Sequence, residues 1–307
     1  MRQAPTGKGQ GLFYRCRFYF AQFEEVALLQ NWEVVQVSSK DLDMFTRFNA
    51  PLEIPAGVVN PNAGVVLYDE TGNQKLGIYD PLVKGVRPLT KNNPIKGMKP
   101  KNKDLNLLYD YMQNDVDIII VDGLFGTGKT STVMAHACQH FYDTGFKLAL
   151  TKPHVPVGRS YGHLPGDLIE KTDHEFESFY QYITKFQQRP LEVLMLANQL
   201  EVAPLEYIRG RDIPYWLIVD EAQNLSREEA ITLASRVADG GKLILLGDTS
   251  DWQKDTKHKQ DGLTFLYNLL KNEGIIGYVE MRTPEHVLRG RIAKALARAL
   301  MKEGKPV

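Results

Sequence analysis

A glycine-rich segment, 121–133, carries the residues whose types and spacing most directly predict chemistry in this chain. It contains the pattern Gly123-x-x-x-x-Gly128-Lys129-Thr130, directly after the apolar run 118–121. A strand that leads into such a turn and then into a helix places backbone N–H groups and the positive end of the helix dipole against phosphate oxygens. The pattern therefore predicts a nucleotide-binding P-loop; the alternative is a glycine-rich turn that binds nothing.

Residue roles follow from the same pattern. Glycine permits the backbone angles and the close approach that the loop needs, Lys129 would reach the β and γ phosphates, and the Thr130 hydroxyl would coordinate Mg²⁺. ATP or GTP is the expected ligand, and the absence of an Asn-Lys-x-Asp motif after the P-loop disfavours GTP. The residues predicted to bind nucleotide are Gly123, Leu124, Phe125, Gly126, Thr127, Gly128, Lys129, Thr130, Ser131 and Asp248.

Acidic residues follow two further apolar runs. Asp220 and Glu221 come after 216–219, and Asp248 comes after 242–246. Because the carboxyl ends of parallel strands meet at one edge of a sheet, these side chains would lie beside the P-loop. Asp220 would hold Mg²⁺ and Glu221 would polarise the water that attacks the γ-phosphate, or the pair only caps a strand. Asp248 either senses the nucleotide state or is an ordinary strand-end aspartate.

The elements that must position these residues alternate along the chain. Apolar runs predict buried strands, and periodic stretches with caps predict helices. The predicted strands are 117–122, 146–150, 216–219, 242–246 and 275–281. The predicted helices are 103–114, 129–143, 170–203 with a break near Pro190, 226–238, 262–272 and 285–302. Repeated βα units indicate an α/β fold whose parallel sheet is covered by helices on both faces.

The chain divides by composition into three parts. Residues 1–80 predict a small β-rich module with strands at 13–20 and 32–37 and a hairpin at 65–79, which serves either recognition or packing. Residues 81–103 predict a proline-containing basic connector, which either contacts nucleic acid or is a solvated linker. Residues 104–307 would form the P-loop domain.

Composition bounds the remaining possibilities. Lys+Arg and Asp+Glu both number 37, so no global charge draws the chain to nucleic acid or membrane. The two cysteines, Cys16 and Cys138, lie in no zinc or CxxC pattern, and the longest apolar runs are too short to span a bilayer. We expect a cytoplasmic protein, bacterial or in an infected host cell if viral, with no disulfide, no structural zinc and no membrane segment.

A family resemblance extends over about residues 95–300. Thr151-Lys152-Pro153 and the Leu-Pro-Gly-Asp segment at 164–167 are similar to motifs of the PhoH-like ATPases. The match continues in the same order at 204–211, 220–224, 247–248, 262–263 and 287–289. Leu105, where relatives usually have glutamine, Lys152, Asp212 and the displaced Gln253 depart from the family pattern.

The resemblance implies a RecA-like fold, related to the motor domain of superfamily-one helicases, with ATP and Mg²⁺ as cofactors. It also implies binding of RNA or single-stranded DNA and a homo-oligomeric ring, with a hexamer the favoured size. Implied catalytic residues are Glu221, Lys129 and Arg289. Implied nucleic-acid contacts are Thr151, Lys152 and His154, and implied inter-subunit arginines are Arg209, Arg211 and Arg289.

Residues from about 31 to 100 resemble the segment that joins the two halves of PIN–PhoH fusions. Too little chain precedes that segment for a PIN nuclease, so we expect no nuclease activity. The sequence thus predicts a Mg²⁺-dependent, helicase-like ATPase that acts on nucleic acid. Two alternatives stay open: a P-loop kinase acting on a small molecule, and a nucleotide-gated assembly that binds nucleic acid without catalysis.

Overall fold

A computed structural model of the chain describes residues 32–55, 57–91, 93–153, 176–187, 189–208, 210–250 and 261–303. The chain divides into two compact units, Met1–Leu89 and Thr90–Val307. The strand predicted at 13–20 lies outside the described residues.

The first unit is built on a five-stranded sheet in the order β1-β3-β4-β5-β2. Its elements are β1 Trp32–Gln36, α1 Ser39–Phe48, β2 Leu52–Glu53, β3 Gly64–Tyr68, β4 Gln74–Asp80 and β5 Gly85–Pro88. The predicted hairpin is confirmed, because β3 and β4 pair in antiparallel register. The Asp69 carboxylate closes the hairpin turn by accepting hydrogen bonds from the backbone N–H groups of Thr71 and Asn73, both at 2.9 Å.

Two features of this unit differ from the sequence-based description. Helix α1 was not predicted, although Ser38 caps it by accepting a hydrogen bond from the Asp41 N–H and Asn49 ends it in a left-handed conformation. Its buried Leu42 and Phe45 pack into the core of the sheet. Residues 81–89, expected in the connector, contain β5, which pairs with β4, and they belong to the first unit.

The second unit contains a six-stranded, fully parallel sheet in the order β11-β6-β10-β9-β7-β8. The strands are β6 Ile118–Gly123, β7 Leu148–Thr151, β8 Leu200–Val202, β9 Trp216–Val219, β10 Lys242–Gly247 and β11 Ile276–Met281. The longer helices are α2 Lys103–Gln113, α3 Lys129–Thr144, α4 Glu177–Phe186, α7 Arg227–Ala234, α8 Gly262–Leu270 and α9 Arg291–Glu303. Shorter ones are α5 Leu191–Leu196, α6 Leu205–Ile208 and the 3₁₀ turns Ala222–Asn224 and Pro284–His286.

The central strands are buried on both faces, which is why they read as continuous apolar runs. In β6, Ile118 and Ile120 pack in one core cluster with Leu233 of α7 and Leu266 of α8. Ile119 points to the opposite face by strand alternation and is also fully buried. The predicted α/β class, with a parallel sheet flanked by helices, is confirmed.

Two predicted helix ends are confirmed by their capping residues. Ser226 and Glu229 form the predicted capping box at the start of α7, with hydrogen bonds of 3.2 Å and 2.8 Å. Gly145, with φ of 69°, ends α3 as the predicted C-cap. Both signals lie within a few residues of the helix end that they set.

Three predicted helices have different limits. The helix predicted over 170–203 is wrong at its end, because Leu200–Val202 pairs with β7 as edge strand β8. The predicted helix 285–302 begins at Arg291, after a 3₁₀ turn, and the helix predicted to 238 ends at Ala234. Among the described residues, none of the helices combines the length and the apolar character that crossing a membrane requires.

Candidate active site

The P-loop joins the end of β6 to the start of α3. Gly126 and Gly128 have φ angles of 72° and 95°, in the left-handed region that favours glycine. Gly123 lies outside that region, but a Cβ atom there would be 2.6 Å from the carbonyl oxygen of Met281 on β11. Two glycines are thus required by backbone conformation and one by the close approach of a neighbouring strand.

Lys129 is the first residue of α3, and its side chain folds back along the loop. Its ammonium donates hydrogen bonds to the carbonyl oxygens of Gly123 and of Leu124, the second at 3.0 Å. Burial lowers the pKa of Lys129, while the charges of four carboxylates, Asp248 foremost, act to raise that pKa. The ammonium is therefore held by two backbone carbonyl oxygens, with four carboxylates near enough to act on its pKa.

The other polar side chains of the loop divide into two groups. Thr127 is buried, and its hydroxyl donates to the carbonyl oxygen of Leu124 at 2.8 Å. The Ser131 hydroxyl donates to the carbonyl oxygen of Gly128 at 3.1 Å. These contacts shape the loop, and Leu124 itself is buried in an apolar cluster. Thr130, in contrast, lines the cleft that faces the loop.

This cleft has a volume of about 380 Å³ and collects most of the predicted site. Its walls come from the P-loop and from the carboxyl ends of β9 and β10. The predicted residues that line it are Phe125, Gly126, Lys129, Thr130, Lys152, Asp220, Glu221, Asp248 and Arg289. Ser178 and Tyr182 of α4 also line it and were not predicted.

The two acids after β9 differ in their surroundings. Burial raises the pKa of Asp220 to about 6; the charge of Glu221 acts in the same direction, and Lys152 acts against it. Glu221 has φ of 55°, a strained conformation for a residue with a side chain. Its carboxylate accepts a 2.7 Å hydrogen bond from the side-chain amide of Gln223. The strained backbone and this bond together fix the direction of Glu221.

Gln223 links the two strand ends. It is 1% exposed, and its amide oxygen accepts a 3.2 Å hydrogen bond from the backbone N–H of Asp248. Gly247 leaves room for this bridge, since a Cβ there would lie 2.9 Å from the same amide oxygen. The side chain that orients Glu221 therefore also contacts the end of β10, a role that the sequence motif alone did not indicate.

Arg282, directly after β11, is not among the site residues predicted from the sequence. Its guanidinium contacts both carboxylate oxygens of Asp122 at 2.8 Å, Asp248 Oδ1 at 3.2 Å and Glu280 at 2.7 Å. Burial acts to lower the pKa of Arg282, but these carboxylates outweigh it and raise the pKa. A charged residue at a strand end was the only available signal, and the partner strands are distant in sequence.

Among the buried side-chain oxygens without a hydrogen-bond partner in the described part of the chain, two belong to predicted site residues: Asp248 Oδ2 and Thr151 Oγ1. Asp248 is 6% exposed, and its other oxygen, Oδ1, accepts hydrogen bonds from the Ser250 hydroxyl at 2.5 Å and from Arg282. A buried carboxylate oxygen without a hydrogen-bond partner lowers the free energy of unfolding. Because Asp248 lines the cleft, its second oxygen is suited to a ligand that enters there.

Arg289 reaches the cleft of its own chain. The backbone N–H of Leu288 donates to the carbonyl oxygen of Gly126 at 2.7 Å, which fastens the segment to the P-loop. The Cγ and Cδ atoms of Arg289 lie 2.9 Å from where a Cβ of Gly126 would be. Among the described residues, no hydrogen bond or ion pair engages its guanidinium. The family resemblance implies instead that this arginine reaches the nucleotide of a neighbouring subunit.

The predicted nucleic-acid contacts are only partly visible. Thr151 is buried at the end of β7, and His154 lies outside the described residues. Lys152 lines the nucleotide cleft, where its ammonium is 3.1 Å from the Ser178 hydroxyl and 3.9 Å from Asp220 Oδ2. The structure thus brings Lys152 to the predicted magnesium ligand.

Of the two remaining predicted inter-subunit arginines, the structure describes Arg211. Arg209 is outside the described residues. Arg211 is half exposed and forms a 2.7 Å ion pair with Glu201 on the edge strand β8. Lys147 contacts the same carboxylate. The structure therefore gives Arg211 a partner at the sheet edge of its own chain.

The donor groups in the cleft fit a nucleotide with Mg²⁺. Magnesium prefers oxygen ligands, and the Thr130 hydroxyl and the Asp220 carboxylate line the same cleft as Lys129. The unpaired Asp248 Oδ2 adds a buried acceptor. Strand, P-loop, helix and paired strand-end acids together define this chain as a P-loop NTPase.

Comparison with known proteins identifies the family. The family model described as PhoH-like protein matches residues 97–301, so the chain belongs to the PhoH-like family. It is 32% identical over 236 residues to Protein PhoH2 of Bacillus subtilis (strain 168), covering 72% of this chain and 53% of that protein. A PhoH-like protein of the same strain is 32% identical over 68% of this chain and 66% of its own length. The chain thus spans about half to two thirds of these curated relatives.

Solved structures show distant similarity. The large terminase of a thermophilic bacteriophage in complex with ADP matches 63% of this chain and 46% of that chain, with 14% identity and a TM-score of 0.39. The Pyrococcus furiosus Hef helicase domain matches 60% and 38%, with 15% identity and a TM-score of 0.35. The RecA-like arrangement implied by the family is present, because β10 lies between the P-loop strand β6 and β9, the strand that Asp220 and Glu221 follow.

Proposed function

We propose that this chain is a Mg²⁺-dependent ATPase that hydrolyses ATP to ADP and phosphate. The observation that carries the proposal is the position of Glu221, which lines the same cleft as Lys129 and Thr130 and is oriented by the 2.7 Å hydrogen bond from Gln223. A carboxylate directly after the metal-holding Asp220 is suited to activate water.

In the proposed reaction, Lys129 and the backbone N–H groups of the P-loop bind the phosphates. Thr130 and Asp220 would hold Mg²⁺, which when bound neutralises charge on the β and γ phosphates. The water oxygen attacks the γ-phosphorus while the bond from that phosphorus to the β–γ bridging oxygen breaks. Glu221 accepts the proton from the water, and ADP and inorganic phosphate leave.

The test is steady-state phosphate release from ATP without any added acceptor. Replacing Glu221→Gln should lower release by about 10²-fold or more, because the amide cannot accept the proton. Nucleotide affinity should change little, since the side chain keeps its size. Glu228→Gln, at an exposed position in the first turn of α7, is the matched control and should hydrolyse normally. Nucleotide binding by the wild type with no release under any condition would refute the ATPase and leave the kinase or the gated assembly.

We also propose that turnover is coupled to RNA or single-stranded DNA. The family resemblance supports this, as does a basic segment in which Lys91, Lys99 and Lys101 are exposed. Each lysine that neutralises a phosphate should contribute a slope of about −0.7 to the plot of log affinity against log salt for single strands. Binding of labelled single strands to Lys99→Gln/Lys101→Gln should be weaker and less salt-dependent. An unchanged salt slope would remove this segment from the interface.

Assembly into a homo-oligomeric ring, with a hexamer favoured, is a further part of the proposal. Support comes from α9, where Ile292 is 86% exposed and Leu296 is 49% exposed on the same face. Light scattering after size exclusion should give a multiple of the 34.8 kDa chain mass, and Ile292→Asp should lower it. Leu269→Asp, at a 57% exposed position on α8, serves as the control. A monomer at all concentrations and nucleotide states would exclude the ring.

A further inference from the structure

Arg282 is held by carboxylates from three neighbouring strand ends. Its Nη2 contacts both oxygens of Asp122, the residue that precedes Gly123 at the end of β6. Its Nη1 contacts Asp248, just beyond β10, and its Nε contacts Glu280 on β11. The side chains of Arg282 and Asp122 are 15% and 2% exposed, so this is a buried charge cluster rather than a surface pair.

Two members of this cluster also act on the P-loop lysine. Four carboxylates carry charges that act to raise the pKa of Lys129. In decreasing order of effect they are Asp248, Asp220, Asp122 and Glu221. Yet within the described residues none of them forms an ion pair with Lys129, whose ammonium donates to two loop carbonyls instead. Arg282 instead contacts Asp248 Oδ1 and both oxygens of Asp122.

Thr249 strengthens the same arrangement. Its backbone N–H and its hydroxyl donate to the two oxygens of Asp122 at 2.9 Å and 2.7 Å. The end of β6 and the loop after β10 are thus tied both directly and through the guanidinium. An arginine suits this position because its planar guanidinium carries five N–H donors in a fixed fork, which can serve carboxylates on several sides at once.

We propose that Arg282 is a positioning residue that holds the carboxylates of Asp122 and Asp248 away from Lys129, so that the ammonium stays available to the triphosphate of the nucleotide. The proposal rests on the nucleotide-binding role of the cleft. Without the guanidinium, two buried carboxylates would lose their counter-charge and would compete with the β and γ phosphates for Lys129. A diphosphate, which is also bound by the loop N–H groups, would be affected less.

The experiment compares binding of Mg²⁺-ADP and of a non-hydrolysable Mg²⁺-ATP analogue by calorimetry, which requires no turnover. The variants are Arg282→Gln, Asp122→Asn and the double variant. Arg298→Gln, whose ion pair with Glu285 is more than half exposed, is the control. Arg282→Gln should lose about tenfold or more in affinity for the triphosphate and less than about threefold for ADP. Asp122→Asn should bind the triphosphate at least as tightly as wild type.

The double variant separates positioning from general support of the fold. Removing the carboxylate together with the arginine restores the charge balance, so triphosphate affinity should return to within about threefold of wild type. The proposal would be overturned if Arg282→Gln lowered the affinities for both nucleotides equally. It would also be overturned if the double variant bound the triphosphate no more tightly than Arg282→Gln. If Arg282→Gln does not fold, Asp122→Asn decides alone, because weaker triphosphate binding would overturn it.

The outcome is distinguishable from that of the proposed ATPase. A wild type that binds nucleotide with the expected variant pattern but releases no phosphate would refute hydrolysis and support the role of Arg282. If the wild type hydrolyses ATP but Arg282→Gln lowers the affinities for both nucleotides equally, hydrolysis is supported and the role of Arg282 is refuted. A wild type that binds neither nucleotide would overturn both.

Discussion

Replacing Gly126 by alanine should separate stability from turnover. Gly126 has φ of 72°, and an added Cβ would lie 2.9 Å from both Cγ and Cδ of Arg289. The left-handed conformation costs an alanine about 1–2 kcal/mol of folding stability. The contact adds a second effect, on turnover, because the new methyl group would displace the Arg289 side chain from its position against the P-loop. A displacement of about 1 Å in a group that stabilises the transition state can cost about 10²-fold in rate.

Gly145 provides a matched control. Its φ is 69°, but nothing lies within 4 Å of a Cβ added there. Thermal unfolding should therefore show that Gly126→Ala and Gly145→Ala lose similar stability, about 1–2 kcal/mol each. Phosphate release should fall about 10²-fold in Gly126→Ala and less than about threefold in Gly145→Ala.

A double-mutant cycle with Arg289→Ala tests the reasoning. If the added methyl group acts through the arginine, Gly126→Ala should cost little further activity once the arginine is gone. If Gly126→Ala still lowered phosphate release by the full factor in the Arg289→Ala background, the methyl group would obstruct the phosphate directly. The explanation through the arginine would then be wrong.

Three further outcomes are expected. Lys152→Met should lower phosphate release about tenfold without any nucleic acid, whereas Lys185→Met, at an exposed position on α4, should not; loss of nucleic-acid affinity alone would contradict the cleft role. Burial lowers the pKa of His136 from 6.5 to about 4, so the folded state disfavours its protonation; the free energy of unfolding carries no such penalty above pH 6.5 and falls as the pH drops from 6.5 through 4. Chemical denaturation should thus show that wild type loses about 3 kcal/mol relative to His136→Gln between pH 7 and pH 4, and parallel profiles would refute this. Gly85→Ala would place a Cβ 2.3 Å from the Leu52 carbonyl oxygen, so hydrogen exchange in β2 and β5 should quicken with a loss of about 1–3 kcal/mol; unchanged exchange would show that the strands can separate freely.

Most elements of the second unit could be predicted because their signals are local. The central residues of β6, β9 and β10, at 118–121, 216–219 and 243–246, are apolar, as expected for strands buried on both faces. Helix ends with side-chain caps or a terminal glycine were located within a few residues. Elements defined by a partner were not: Leu200–Val202 is a strand because it pairs with β7, and nothing within those three residues separates it from the preceding helix.

The site shows the same division. The sequence by itself determined the P-loop, Lys129, Thr130 and the acids Asp220 and Glu221, because one short segment supplies both the backbone geometry and the reactive groups of each motif. Only the tertiary structure decided which carboxylates pair with Arg282, that the Gln223 amide bridges the ends of β9 and β10, and that Arg289 packs against the P-loop. Those contacts join strand ends and loops that the sheet order brings together, in some cases from more than a hundred residues apart. Long-range contacts leave no pattern in either segment alone, since each side chain reads as an ordinary polar residue until its partner strand is in place.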